Sequence, residues 1–229
     1  MFKQLFDKKR DYRIFEGLRV AVMLTFVSGF IDAFTYLTQG GRFAGMQTGN
    51  LIYLMIHLSE GEWSKSLSYL VPIIVFMLGQ IFTYLVRDWA SKRNVHWHIF
   101  SGHILLVLLL ITCILAPLNS SAIPIIILSF YASVQVDTFR KIRGVPYANI
   151  MMTGNIRSIS KLLIQGIKEN NHEALKKSRN IAVILFSFMI GVGSSAILVN
   201  YLKEYTLYLS LFPILVLNYI LYLEIRKNS

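Results

Sequence analysis

The sequence predicts an all-α polytopic membrane protein: six transmembrane helices in two inverted three-helix repeats, each with a re-entrant partial helix at a Thr-Gly-Asn motif. Three observations carry this: long stretches without charge, a motif pair at constant spacing, and a one-sided distribution of Lys and Arg. Of 229 residues, 55% are hydrophobic and only 15% charged, and the mean hydropathy of +0.54 lies far outside the range of soluble domains. The runs Val71–Val86, Ile99–Leu115, Ile123–Val136 and Ile181–Val199 contain no Asp, Glu, Lys or Arg, the pattern of segments buried in hydrocarbon.

The duplication shows as Thr48-Gly49-Asn50, which returns as Thr153-Gly154-Asn155 at an offset of 105. Asp32 and Asp137 stand sixteen residues before their respective copies, and Phe34/Phe139 and Met46/Met151 keep the same offset. Phe76-Met77-Leu78-Gly79 returns as Phe188-Met189-Ile190-Gly191 at 112, so a loop longer by seven residues is expected in the second half. A chance origin for a matched tripeptide and a matched acid together is remote.

The elements follow in order. Residues 1–17 form a basic segment expected in the cytoplasm, and no small-residue cleavage site follows the first apolar run, so an uncleaved first helix is expected. The first repeat, 18–117, has spans at 18–37, 67–87 and 97–116 with a re-entrant piece at 43–58. The second, 122–225, has spans at 122–139, 180–200 and 205–225 with a re-entrant or interfacial piece at 146–168. As one helix, 43–58 would reach only about 24 Å against a hydrocarbon core of roughly 30 Å, too short to cross. If neither such piece crosses, twenty of the 23 Lys and Arg lie on the side of the N-terminus, and only Arg42, Lys65 and Lys203 lie opposite. That is a strong positive-inside bias with both termini cytoplasmic, and three spans per half make the repeats antiparallel.

The remaining features fit this frame. Trp89 and Trp97 flank inner helix ends and Trp63 an outer loop, where aromatic belts belong. Ser187, Gly191 and Ser195 recur every four residues, which suits close helix packing. Cys113 is the sole cysteine, so intramolecular disulfides and cysteine metal clusters are excluded. The net charge of +11 reads as topogenic rather than as a nucleic-acid surface, because no soluble face carries it. His96, His98 and His103 lack metal-ligand spacing, no metal or cofactor is expected, and no standard enzyme signature occurs.

Asp32 lies about 21 Å along the first helix, within hydrocarbon depth, and Asp137 mirrors it in the second half. An acid there costs about 2.5–3.5 kcal/mol on insertion scales, so such residues usually face a polar pathway or a partner, and both are candidates for proton or cation coupling. The bland alternative is that each caps the nearby backbone or pairs with an arginine such as Arg42 or Arg140. Thr48, Gly49, Asn50, Thr153, Gly154 and Asn155 have the chemistry of a helix start. A partial helix beginning inside a membrane aims free N–H groups and about half a positive charge at the interior, where an anionic group can bind. Gln47 and Gln135 (with Gln80) add polar lining, and Arg157, one turn after the second motif, is a candidate anion partner, although an interfacial amphipathic helix explains it equally well.

The pattern Gly29-x-x-Asp32-Ala33, Phe43, Gln47-Thr48-Gly49-Asn50-Leu51, echoed by Gln135-x-Asp137 and Thr153-Gly154, resembles the YoaK-like family of bacterial inner-membrane proteins, which carries a domain of unknown function. The resemblance spans nearly the whole chain and implies a bacterial plasma-membrane location without a substrate. From the residues themselves the expectation is a small secondary transporter of a small, anionic solute. The alternatives are a passive channel and a non-transporting scaffold or partner subunit, and a homo-oligomer stays open. Partners are the bilayer and an unidentified solute, with no nucleic acid.

Overall fold

The computed structural model describes residues 13–118 and 122–228; the basic segment expected over 1–17 therefore falls, for its first twelve residues, outside the described residues. The fold is all-helical. In chain order the helices are α1 (Leu18–Thr38), α2 (Gln47–Ser59), α3 (Trp63–Lys92), α4 (Trp97–Leu115), α5 (Ile123–Thr138), α6 (Met152–Lys168), α7 (His172–Leu202) and α8 (Leu211–Asn228). The stretches Leu18–Thr38, Trp63–Lys92, Trp97–Leu115 and His172–Leu223 are long and apolar enough to cross a membrane. The last of these, 52 residues, is long enough for two crossings.

Helix ends follow local chemistry. Pro124 opens α5, where a missing N–H does no harm. Asn171 caps α7 by accepting from the Glu173 and Ala174 amides, each at 3.1 Å, so that helix begins at a polar turn before its apolar run. Lys203 takes a positive φ of 49° at the end of α7, and a 3-10 segment, Lys203–Ser210, leads into α8. Arg143 and Gly144, at φ 48° and 77°, make the tight turn of a two-stranded hairpin, Lys141–Ile142 against Val145–Pro146. The hairpin is tied back by the Arg143 N–H donating to the Glu16 carbonyl at 2.7 Å.

The most extensive helix pairing joins α1 to α7, and its counterpart joins α3 to α5. Small residues make both close. A side chain added at Gly191 would strike the Phe26 carbonyl, and one at Gly29 would strike that of Phe188. Ser187 Oγ donates across the same seam to the Val22 carbonyl at 2.8 Å. On the other seam Gly79 sits against Ser133 and Phe130, and Gln80 Nε2 donates to the Ser133 carbonyl at 2.9 Å. In lipid, such close backbone approach and interhelical hydrogen bonding replace the hydrophobic effect as the source of helix association.

A buried apolar core of α1, α4, α5 and α8 includes Leu24, Ile31, Leu105, Leu109, Leu128, Ile214 and Leu217. Large apolar side chains also cover the outside, among them Met77, Ile81 and Leu85 on α3, Phe186, Ile190 and Ile197 on α7, and Phe212 and Leu215 on α8. Exposed apolar surface this continuous needs a nonaqueous neighbour, which marks an integral membrane protein. Helix α6 differs from these: it carries exposed Ile156, Ile164 and Ile167 beside exposed Arg157, Lys161 and Lys168, the pattern of a helix lying in an interface.

Candidate functional site

Each Thr-Gly-Asn motif closes a loop through its asparagine. Asn50 is fully buried; its Oδ1 accepts from the Phe43 N–H at 2.9 Å and its Nδ2 donates to the Phe43 carbonyl at 2.8 Å and to Gln47 Oε1 at 2.9 Å. Asn155 repeats this: its Oδ1 accepts from the Ala148 N–H at 3.1 Å and its Nδ2 donates to the Ala148 carbonyl at 2.6 Å. Both reach back seven residues, so the asparagines fold the segments that precede α2 and α6. Gly49 lies tight against Phe43 and Met46, whereas Gly154 faces open space. Thr48, Thr153 and Arg157 are exposed and line neither of the two cavities described next. Gln47 Nε2 donates to the Ala44 carbonyl at 2.8 Å.

The two aspartates sit in different environments. Asp32, 5% exposed, accepts the Gly45 N–H on Oδ1 at 2.7 Å, and the neighbouring Ala44 N–H donates to Thr35 Oγ1 at 3.2 Å. The acceptor held at the entry to α2 is therefore the protein's own carboxyl group. Arg42 instead donates from Nε to the Gln39 carbonyl at 2.7 Å. Asp137, 6% exposed, is clamped by arginines: Arg87 Nη1 lies 3.2 Å from Oδ2, and Arg140 Nη2 pairs with Oδ1.

Two cavities adjoin these acids. The inner one, about 10 Å³, lies between α1 and α5 and is lined by Ser28, Asp32, Gly45, Tyr131, Gln135 and Ile150, among others. Gly45 and Ile150 are themselves 105 apart in sequence, and a Cβ on Gly45 would come within 2.5 Å of Ile150 Cγ2. The loops leading to α2 and α6 thus meet at corresponding positions. Gln135 Nε2 donates to Ser28 Oγ at 2.6 Å and to the Leu24 carbonyl at 3.3 Å. The second and larger cavity, about 260 Å³, is lined by Arg13, Glu16, His98, Thr138, Arg140 and Lys141 with two phenylalanines. Of these, Phe15 stacks on His98 with ring centroids 3.5 Å apart.

The residues 20–220 match the family described as "Protein of unknown function (DUF1275)". The chain belongs to this family. DUF1275 membership thus covers the stretch from α1 to α8 and agrees with the sequence resemblance as far as an uncharacterised family goes. No curated protein and no solved structure matches the chain.

Sequence reading did not find Ser28 or Arg87, because each is an ordinary residue in its own helix and acquires a role only through a partner on another, Gln135 and Asp137 respectively. It also passed over His57, whose Nδ1 lies 3.2 Å from Glu60 Oε2 and 2.8 Å from Glu62 Oε2. Among the described residues, these three are the group close enough to share a metal ion. Lys65 already engages Glu62 at 3.3 Å, and the network joins the end of α2 to the start of α3. The spacing of three and two residues was the available signal.

Proposed function

We propose that this DUF1275 protein is a small secondary transporter of a bacterial plasma membrane, moving a small anionic solute through six spans arranged as two inverted repeats with cytoplasmic termini. The likeness to YoaK-like inner-membrane proteins belongs to the same proposal. Support for the inversion comes from the exchanged pairings, α1 on α7 and α5 on α3, and from the meeting of Gly45 with Ile150, where a twofold axis relating the halves would pass. Nothing in the proposal requires enzymatic chemistry, and its partners are the bilayer and one solute.

One observation carries the solute reading: Arg140 both lines the 260 Å³ cavity and holds buried Asp137. With Arg13 and Lys141 also lining it against a single acid, Glu16, the cavity favours an anion. An anion that engages Arg140 there loosens the clamp on Asp137, so occupancy and the charge state of a buried acid become linked. The inner cavity has room for about one water-sized occupant, so the solute binds on the Arg140 side and the region between the loops acts as a closed gate.

The test is flux in liposomes. Purified protein should accumulate small organic anions against their gradient when a proton or sodium gradient is imposed, and Arg140→Gln should cut the rate by at least tenfold. Asp32→Asn and Asp137→Asn should each abolish accumulation; unchanged flux in both would remove the coupling role. Downhill flux without accumulation would favour a passive channel, and none at all a scaffold.

A further inference from the structure

Helix α6 presents three different faces. One packs on α7: Asn155 and Gly166 are buried, a side chain added at Gly166 would strike Leu175, and Ser178 Oγ donates to the Ile159 carbonyl at 3.0 Å. A second is apolar and uncovered, a line of exposed Ile156, Leu163 and Ile167 spaced by seven and four residues. The third is cationic. Arg157, Lys161 and Lys168, spaced by four and seven residues and all exposed, form a row about a third of a turn from the apolar line, with exposed Ile164 between the two. None of these cations has a hydrogen-bond or ion-pair partner among the described residues. The nearby acids are already engaged, Glu169 by Gln165 Nε2 at 3.2 Å and Glu173 by Lys177 at 3.0 Å.

The matching helix of the first half isolates what the cations add. At the offset of 105, Arg157 and Lys161 stand where α2 has Ile52 and Ile56, both exposed. Charge at these positions is therefore not a requirement of the fold, and α2 offers there a surface for an apolar neighbour alone. A free cationic row beside a free apolar line suits a neighbour that is apolar on one side and anionic on the other, which is a phospholipid leaflet at its headgroup boundary.

We infer that α6 is a docking surface for anionic phospholipid, with its isoleucines among the acyl chains and Arg157, Lys161 and Lys168 on the headgroup phosphates. Charge complementarity selects this occupant: a zwitterionic headgroup brings a cation of its own toward the row, and a soluble anion leaves the apolar line in water. The inference is independent of solute transport, since no residue of α6 lines either cavity.

The experiment is thermal unfolding of the purified full chain in neutral detergent, titrated with phosphatidylglycerol or with phosphatidylcholine. Phosphatidylglycerol at ~100 times its apparent Kd should raise the midpoint by roughly 5–10 °C, and phosphatidylcholine should need far more lipid for the same rise. Each cation should contribute roughly fivefold at low salt, so a variant combining Arg157→Gln, Lys161→Gln and Lys168→Gln should need on the order of 100-fold more phosphatidylglycerol. Lys65→Gln, which removes a cation far along the chain from α6, should leave that concentration unchanged. Should the triple variant fail to fold, Lys161→Gln alone decides, at roughly fivefold. Equal responses to the two lipids, or variants that titrate like the parent, would overturn the surface. Inorganic phosphate giving the full rise would make the row a soluble-anion site, and a lipid-independent dimer broken by Ile156→Ser and Ile164→Ser would assign the apolar line to a second copy; either result overturns the lipid assignment.

Discussion

The two halves of the molecule build the same loop and then use their buried acid differently. Asn50 and Asn155 clamp the backbone seven residues upstream with the same pair of hydrogen bonds. Asp32 faces a backbone amide beside a small apolar-walled cavity, whereas Asp137 faces two arginines beside a basic one. Conformation has been kept between the halves while electrostatics have diverged: loop closure depends on a side chain's reach, but the charge balance of an acid depends on neighbours that can change singly.

The helix seams give the largest expected effect. Gly191→Ala places a methyl group against the Phe26 backbone carbonyl, which cannot rotate away, whereas Gly79→Ala meets Ser133, whose Oγ can rotate away and whose Cβ needs only a small shift. The first should cost about 3 kcal/mol or more and the second about 1 kcal/mol, read as unfolding midpoints in detergent. Equal losses would mean that the α1–α7 and α3–α5 seams are equally pliable.

Asn50→Ala and Asn155→Ala should each cost about 2 kcal/mol, since each strands a half-buried backbone N–H and carbonyl. Denaturation of the two variants side by side checks the likeness of the loops; a difference above about 1.5 kcal/mol would break it. A smaller effect should separate the acids. Arg140→Gln leaves Asp137 with Arg87 and should cost about 1–2 kcal/mol, and Arg42→Gln, which loses only a hydrogen bond to Gln39, about 0.5–1 kcal/mol.

The smallest effect lies in the loop between α2 and α3. The hydrogen bond and charge of Lys65 hold the exposed Glu62 carboxyl below its ordinary range. Because the folded value is the depressed one, this tie is complete above the ordinary carboxylate range and fades as pH falls through the folded value. An NMR titration of Glu62 should show a low midpoint that Lys65→Ala moves upward.

How far the sequence could be read follows from the same physics. Hydrocarbon excludes charge, so charge-free runs announced the helices, although α3 and α7 extend beyond those runs where Trp63, Arg87 and Asn171 meet polar surroundings. The motif pair was visible because asparagine is needed to bridge each loop. The partner of Asp32 was not, since a backbone amide at Gly45 leaves no mark in composition. Nor could spacing separate Arg42 from Arg140 as partners of the acids: each follows its aspartate at short range, and only the turn after α1, with Gly40 and Gly41 at φ 70° and 76°, sends Arg42 elsewhere.

The left-handed bend at Lys203 has a consequence for how the protein settles in its bilayer. A cation exposed at the junction of two apolar helices resists being drawn below the headgroups. The residue therefore works as a float for the end of α7 that carries it, and lengthening α7 would tilt that helix rather than sink its end.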